Sequence, residues 1–100
     1  MNDYILLMYG DVPEGQRRPD HEWAAYFARL REASAFQGGS AIGGGVCVNK
    51  AGAARDISRR IAGYIRIRAA DLGAAQALLA GNPVYEAGGT VEIRELVKDG

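Results

Sequence analysis

Residues Tyr4 to Tyr9 read YILLMY, apolar or aromatic at every position and closed by Gly10-Asp11. A run this short falls far below the about 20 residues that span a bilayer. It has neither a basic flank nor a small-residue cleavage site, so the chain is expected to be mature, with no membrane contact. Its composition predicts a short β-strand that is apolar on both faces. A strand of that kind needs cover on two sides, and this requirement shapes everything predicted downstream.

After the polar, proline-bearing loop DVPEGQRRPD, Asp20 is placed to cap a helix from His21 to about Ala35. Trp23, Phe27, Leu30 and Ser34 fall on one stripe of it, with Tyr26 on the edge. FQGGSAIGGGVCV then leads into a polar connection, and IAGYIRIR alternates Tyr64, Arg66 and Arg68 against Ile65 and Ile67 as a half-buried strand does. Asp71 caps a second predicted helix, LGAAQALLA, with Leu72, Ala75, Leu78 and Leu79 apolar and Gly81-Asn82-Pro83 as its stop. TVEIRELV closes the chain as a strand with Val91 and Ile93 opposed to Glu92 and Arg94.

The order β-α-β-β-α-β predicts an α+β, ferredoxin-like fold: a four-stranded antiparallel sheet with both helices on one face, in a single domain over residues 1–100. The far face would carry one register of YILLMY together with Tyr64, Arg66, Arg68, Glu92 and Arg94. That face is too apolar to stay wet and too charged for a dry core, so a second copy is expected to cover part of it as a homodimer.

Composition narrows the function. Twelve Lys+Arg balance twelve Asp+Glu, which leaves no net field to attract nucleic acid or an anionic membrane. The cluster Arg55, Arg59 and Arg60 is interrupted by Asp56 and lacks interleaved aromatics, so it reads as a solvated loop. Cys47 is the one cysteine and excludes an internal disulfide; a reduced, cytoplasmic setting and a buried, unreactive thiol beside Val46 and Val48 are expected. His21 is the one histidine, at the start of the helix, and has no ligand spacing with other residues, so neither a metal nor a cofactor is expected.

The stretch from Gln37 to Val48 holds five glycines in twelve residues and suggests a phosphate cradle. The motif fails on chemistry. A P-loop needs a Lys-Ser/Thr pair and a following helix, whereas Gly43-Gly44-Gly45 run into Val46-Cys47-Val48, a strand signal. The expectation is a bulged, glycine-rich strand packed closely by a neighbour, with floor space for a ligand as the less common reading and Ser40 as its polar contact.

YILLMYGD, FARLREASAFQGGSA and the run from Gly63 to Leu96, above all NPVYEAGGTVEIREL, resemble the YCII-related group and its DGPF-type members. The resemblance implies a ferredoxin-like fold paired into a dimeric α+β barrel and no settled activity. It also implies an acid/base dyad of a histidine on the first helix and an aspartate before the turn proline. This chain has Tyr26 and Asn82 at those positions, and NKAGAARDIS replaces the DGPF signature. An amide cannot charge-stabilise an imidazole, and a tyrosine is a poor base at neutral pH.

Two functions follow as expectations. One is a cofactor-independent enzyme or binder for a small organic acid, its cleft between sheet and helices lined by Tyr26, Asn82, Tyr85, Glu86 and Arg66, with Glu86 raised by burial as catalytic base. Arg66, Arg68 and Arg94 are otherwise cross-strand ion-pair partners, any one left over being an anion contact. The alternative is a non-catalytic dimerisation or regulatory module in which the same residues complete the subunit interface.

Overall fold

The computed structural model describes residues 1–52 and 55–98. Its elements are β1 (Asn2–Tyr9), α1 (His21–Glu32), β2 (Phe36–Ala41), β3 (Ile61–Ala69), α2 (Leu72–Ala77), α3 (Pro83–Glu86) and β4 (Val91–Leu96). The strands form one sheet in the order β2-β3-β1-β4, and every neighbouring pair is antiparallel. This is the ferredoxin-like arrangement expected from the sequence, with the apolar β1 in the centre, where neither edge meets water.

Register settles which side of β1 is the core. Tyr4, Leu6 and Met8 pair with Ile67, Ile65 and Gly63 on one flank and with Glu95, Ile93 and Val91 on the other. These three β1 residues are buried, as are Ile65, Ile67, Tyr26, Leu30, Ala75 and Leu79 of the same cluster. The opposite face carries Tyr64, Arg66, Arg68, Glu92 and Arg94, as the alternation predicted, and of the two registers open to β1 it takes the one with Ile5 and Leu7, both half-buried.

Several local expectations are corrected. α1 ends at Glu32, and Ser34, expected on the helical stripe, is exposed with a left-handed φ of 55°. Asp20 gives no side-chain cap; its carboxylate pairs with Arg17 at 3.2 Å instead. The centre of the buried face of α1 is Tyr26 and Leu30, with Trp23 and Phe27 half-buried on its flank. Residues 43–48 form no strand and are exposed, so Cys47 is a solvent-facing thiol, its Sγ 3.5 Å from the Asp56 carbonyl. Glycine-rich backbone has too few side chains to hold valines against a sheet. The expected bulge does occur, further upstream, as a register shift between Phe36 and Gly39.

The second predicted helix divides. Asp71 caps it as expected, its carboxylate accepting from Ala74 N at 2.8 Å. Regular helix stops at Ala77, Leu72 is exposed, and α3 begins at Pro83. Asn82 starts that short helix: its Oδ1 accepts from Val84 N at 3.0 Å and Tyr85 N at 3.1 Å. A proline at the first helical position costs no hydrogen bond, and an Asn cap supplies the acceptor that the new amides need.

Candidate functional site

A cavity of about 390 Å³ lies between α1 and the β2–β3 side of the sheet. Its roof is Trp23 and Phe27, one helical turn apart, with ring centroids 5.7 Å from each other. Its floor is Gly39, Ala41, Gly63 and Ile65, and Met8 and Val84 close the sides. The cavity follows from side-chain volume: where Gly39, Ala41, Ala62 and Gly63 lie beneath two large aromatics, nothing fills the space between the layers.

Gly39 holds this floor in place. A Cβ there would stand 2.7 Å from the Tyr64 carbonyl oxygen and 3.2 Å from Ile65 Cα, so only glycine lets β2 approach β3 this closely. β2 is an edge strand, and its outward backbone groups have no strand partner. They are hydrogen-bonding atoms beside an otherwise apolar space.

The residues expected to form the site are dispersed. Ser40 is on the cavity wall, but it pairs with Tyr64 in the register that faces away from the helices, and its hydroxyl donates to the Ala41 carbonyl at 2.8 Å. Tyr26 and Asn82 lie side by side in the core, both essentially sealed at 1% and 0% exposure. The Tyr26 hydroxyl donates to the Leu78 carbonyl at 2.7 Å, and burial holds its pKa above the ordinary tyrosine value. Asn82 Nδ2 sits beside that hydroxyl without meeting hydrogen-bond geometry and is a buried donor with no partner. Their contacts are those of a helix cap and a core anchor.

Glu86 is exposed, and its carboxylate accepts from Gly81 N at 2.9 Å. The burial on which a catalytic role for it was premised is absent. Tyr85 is 50% exposed beside it. Arg66 lies on the far face of the sheet, across from Ile5, separated from the cavity by the sheet itself. There Arg68 pairs with Asp3 at 3.3 Å and Arg94 with Glu92 at 3.1 Å.

Two polar contacts were missed by the sequence reading. The Tyr9 hydroxyl donates to the Glu92 carboxylate, which raises the tyrosine pKa and, with Arg94, lowers that of Glu92. Two residues further along, where the Tyr9 amide donates to the Thr90 carbonyl at 2.9 Å, Asp11 accepts from both Thr90 N at 2.8 Å and Thr90 Oγ1 at 2.7 Å, and these bonds lower its pKa. Both link residues more than 75 positions apart in sequence (|i−j| of 83 and 79), so no local pattern could show them. Trp23 and Phe27 were visible as an apolar pair, and Gly39 and Gly63 as glycines inside strand patterns. Their coincidence above and below one space needed the register.

The described residues contain no group of three or more His, Cys, Asp or Glu side chains that could hold a metal, and no helix among them is long and apolar enough to cross a membrane. Among the described residues, no carboxylate, histidine or cysteine lines the cavity. The arrangement can enclose a flat apolar group and offer it backbone hydrogen bonds.

No family model matches the chain, and no curated protein matches it. Among solved structures it is similar to the 5-chloro-2-hydroxyhydroquinone dehydrochlorinase TftG from Burkholderia phenoliruptrix AC1100, determined in complex with 2,5-dihydroxybenzoquinone. The TM-score is 0.56 at 15% sequence identity, over 94% of this chain and 93% of that one. What the two chains share is the ferredoxin-like fold.

Proposed function

We propose that this chain is a homodimeric small-molecule-binding protein, a divergent relative of the YCII-related group, that holds a flat, ring-sized organic compound between α1 and the β2–β3 floor. The cavity roofed by Trp23 and Phe27 carries this reading. An aromatic roof over a glycine floor fits a planar ring, and the 2,5-dihydroxybenzoquinone in the complex of the structural neighbour is a molecule of that shape. The resemblance of NPVYEAGGTVEIREL to the YCII pattern supports the family assignment.

Binding without acid/base catalysis is the better-supported form of the reading. The two positions at which the resemblance implies a dyad are occupied by Tyr26, whose hydroxyl bonds the Leu78 carbonyl, and Asn82, whose Oδ1 caps α3, and Glu86 faces solvent.

The dimer rests on the uncovered sheet face. The accessible surface of 6911 Å² exceeds by roughly a quarter the about 5,500 Å² of a compact monomer of this mass. Ile5 and Leu7 lie on the face where a second copy would remove them from water.

Trp23 is the one tryptophan and lies on the cavity wall, so its fluorescence reports occupancy. Titration with hydroquinone is expected to give saturable quenching that Gly63→Val, whose side chain projects into the floor, removes. A second block, Ala41→Leu, should act alike. Quenching of equal size in the wild type and both folded variants would place the ligand elsewhere and end this reading.

A further inference from the structure

A second cavity, of about 510 Å³, adjoins the first. Trp23, Ala62 and Val84 line both, so the indole and its two small neighbours form a partition with a chamber on either side. The chambers differ in chemistry. Among the described residues the first has no charged wall; the second is bounded by the segment from Gly10 to Arg18 and carries the guanidinium groups of Arg17 and Arg18 together with Glu14.

That segment is anchored to the body of the fold. Asp11 is bonded twice to Thr90, Pro13 lies 3.6 Å from where a Gly88 Cβ would stand, and Val12 lies 2.9 Å from a Cβ built at Gly89. A Cβ at Gly89 would also stand 2.7 Å from Val84 Cγ1 and 3.0 Å from the Val84 carbonyl oxygen, so the glycine lets Val12 of the loop and Val84 of α3 close on the same point. The two arginines are held at its end by neighbouring carboxylates, Arg17 by Asp20 at 3.2 Å and Arg18 by Glu22 at 3.0 Å. Both pairs are substantially exposed. Each guanidinium has five donors, and one carboxylate uses at most two of them, which leaves donors for a further anion.

We infer that the two chambers form one bipartite site for an aromatic compound bearing an anionic arm, with the ring over Gly39 and Gly63 beneath Trp23 and Phe27 and the arm passing the partition toward Arg17 and Arg18. This inference rests on the ring-binding reading above and adds the chemical class of the ligand. The apolar chamber supplies affinity without regard to charge. The arginine rim supplies selection for a carboxylate or similar group, because a charge-assisted hydrogen bond exceeds a neutral one even after discounting for solvent.

The test compares two probes of the same shape, phenylpropanoate and its uncharged amide, by calorimetry at low and moderate salt. Wild-type protein is expected to bind the acid about five- to tenfold more tightly than the amide, and added salt should erode that preference as it screens an exposed rim. In the double variant Arg17→Ala/Arg18→Ala, which removes exposed side chains and no core contact, the ratio should fall to about one. Equal affinity for acid and amide in the wild type would overturn the bipartite site while leaving ring binding intact. A preference that persists in the double variant would overturn the assignment to Arg17 and Arg18. If neither probe binds, the ring-binding reading falls with it.

Discussion

Tyr9 and Glu92 show how one contact can govern two titrations on opposite sides of neutrality. Their hydrogen bond lowers the folded pKa of Glu92, so its contribution is present above the ordinary glutamate range and is lost as pH falls through the folded value. It raises the folded pKa of Tyr9, so that contribution is full below the ordinary tyrosine range and is lost as pH rises through the folded value. In Tyr9→Phe the Glu92 carboxyl, followed by carbon NMR, should titrate closer to the ordinary glutamate value. An unchanged midpoint would mean that Arg94, and not Tyr9, sets it. Asn82→Ala removes the acceptor for two amides of α3 and should cost about 1–2 kcal/mol in urea denaturation. Gly39→Ala should cost about 1–3 kcal/mol, because the added carbon meets backbone that cannot step aside. A midpoint equal to wild type in either variant would refute the contact assigned to it. Asn82 was legible as a polar residue before a turn proline. Its role as a cap was hidden because the turn itself is a helix, and a four-residue helix leaves no periodicity to read.

At the scale of elements, alternation was the most reliable guide. The faces of β3 and β4 follow directly from IAGYIRIR and TVEIRELV, since a period of two leaves each side chain one choice of side, whereas YILLMY is apolar throughout and only its pairing with β3 and β4 puts Tyr4, Leu6 and Met8 in the core. The glycine-rich stretch was less legible. Val46, Cys47 and Val48 have strand propensity, yet propensity is realised only where a partner strand or a covered face exists, and three residues after Gly43-Gly44-Gly45 have neither. The orientation of α1 was misjudged by part of a turn. Trp23 and Phe27 are its largest apolar residues, but Tyr26 and Leu30 join the core cluster with Ala75 and Leu79, Tyr26 bonding the Leu78 carbonyl, and the small residues of β2 and β3 leave the two aromatics facing open space. The loop beside them depends on the Asp11–Thr90 clamp. Asp11 has a lowered folded pKa, so the clamp stabilises above the ordinary aspartate range and weakens as pH falls through the folded value. Thermal melts of wild type and Asp11→Ala should therefore differ near neutrality, and the gap should close only as pH falls below the ordinary aspartate range. A gap of the same size near neutrality and below that range would mean that the carboxylate charge is not what holds the loop.

The whole molecule is a slab, 46 × 41 × 19 Å in extent, and its short axis is the thickness of one sheet and one helix layer. Its radius of gyration, 15.0 Å, exceeds the about 13 Å of a compact chain of this length. A slab with helices on one side leaves Ile5 and Leu7 on the other, and the proposed pairing of two such faces would take both residues out of water. Sedimentation should show a dimer for the wild type and a monomer for Leu7→Arg, which places a charge at the centre of the face. A wild-type species of 10.7 kDa would contradict the dimer and leave the cavity untouched, because the two lie on opposite sides of the sheet. The cavity is the central claim, and the methionines offer its most direct test. Met8 is on the cavity wall, and Met1, 77% exposed, is the only other methionine. With both methyl groups carbon-13 labelled and hydroquinone added in steps, the Met8 resonance should shift to saturation while the Met1 resonance stays fixed. A Met8 signal that does not move at any concentration, or a shift at Met1 alone, would contradict a ring-binding site between α1 and the sheet.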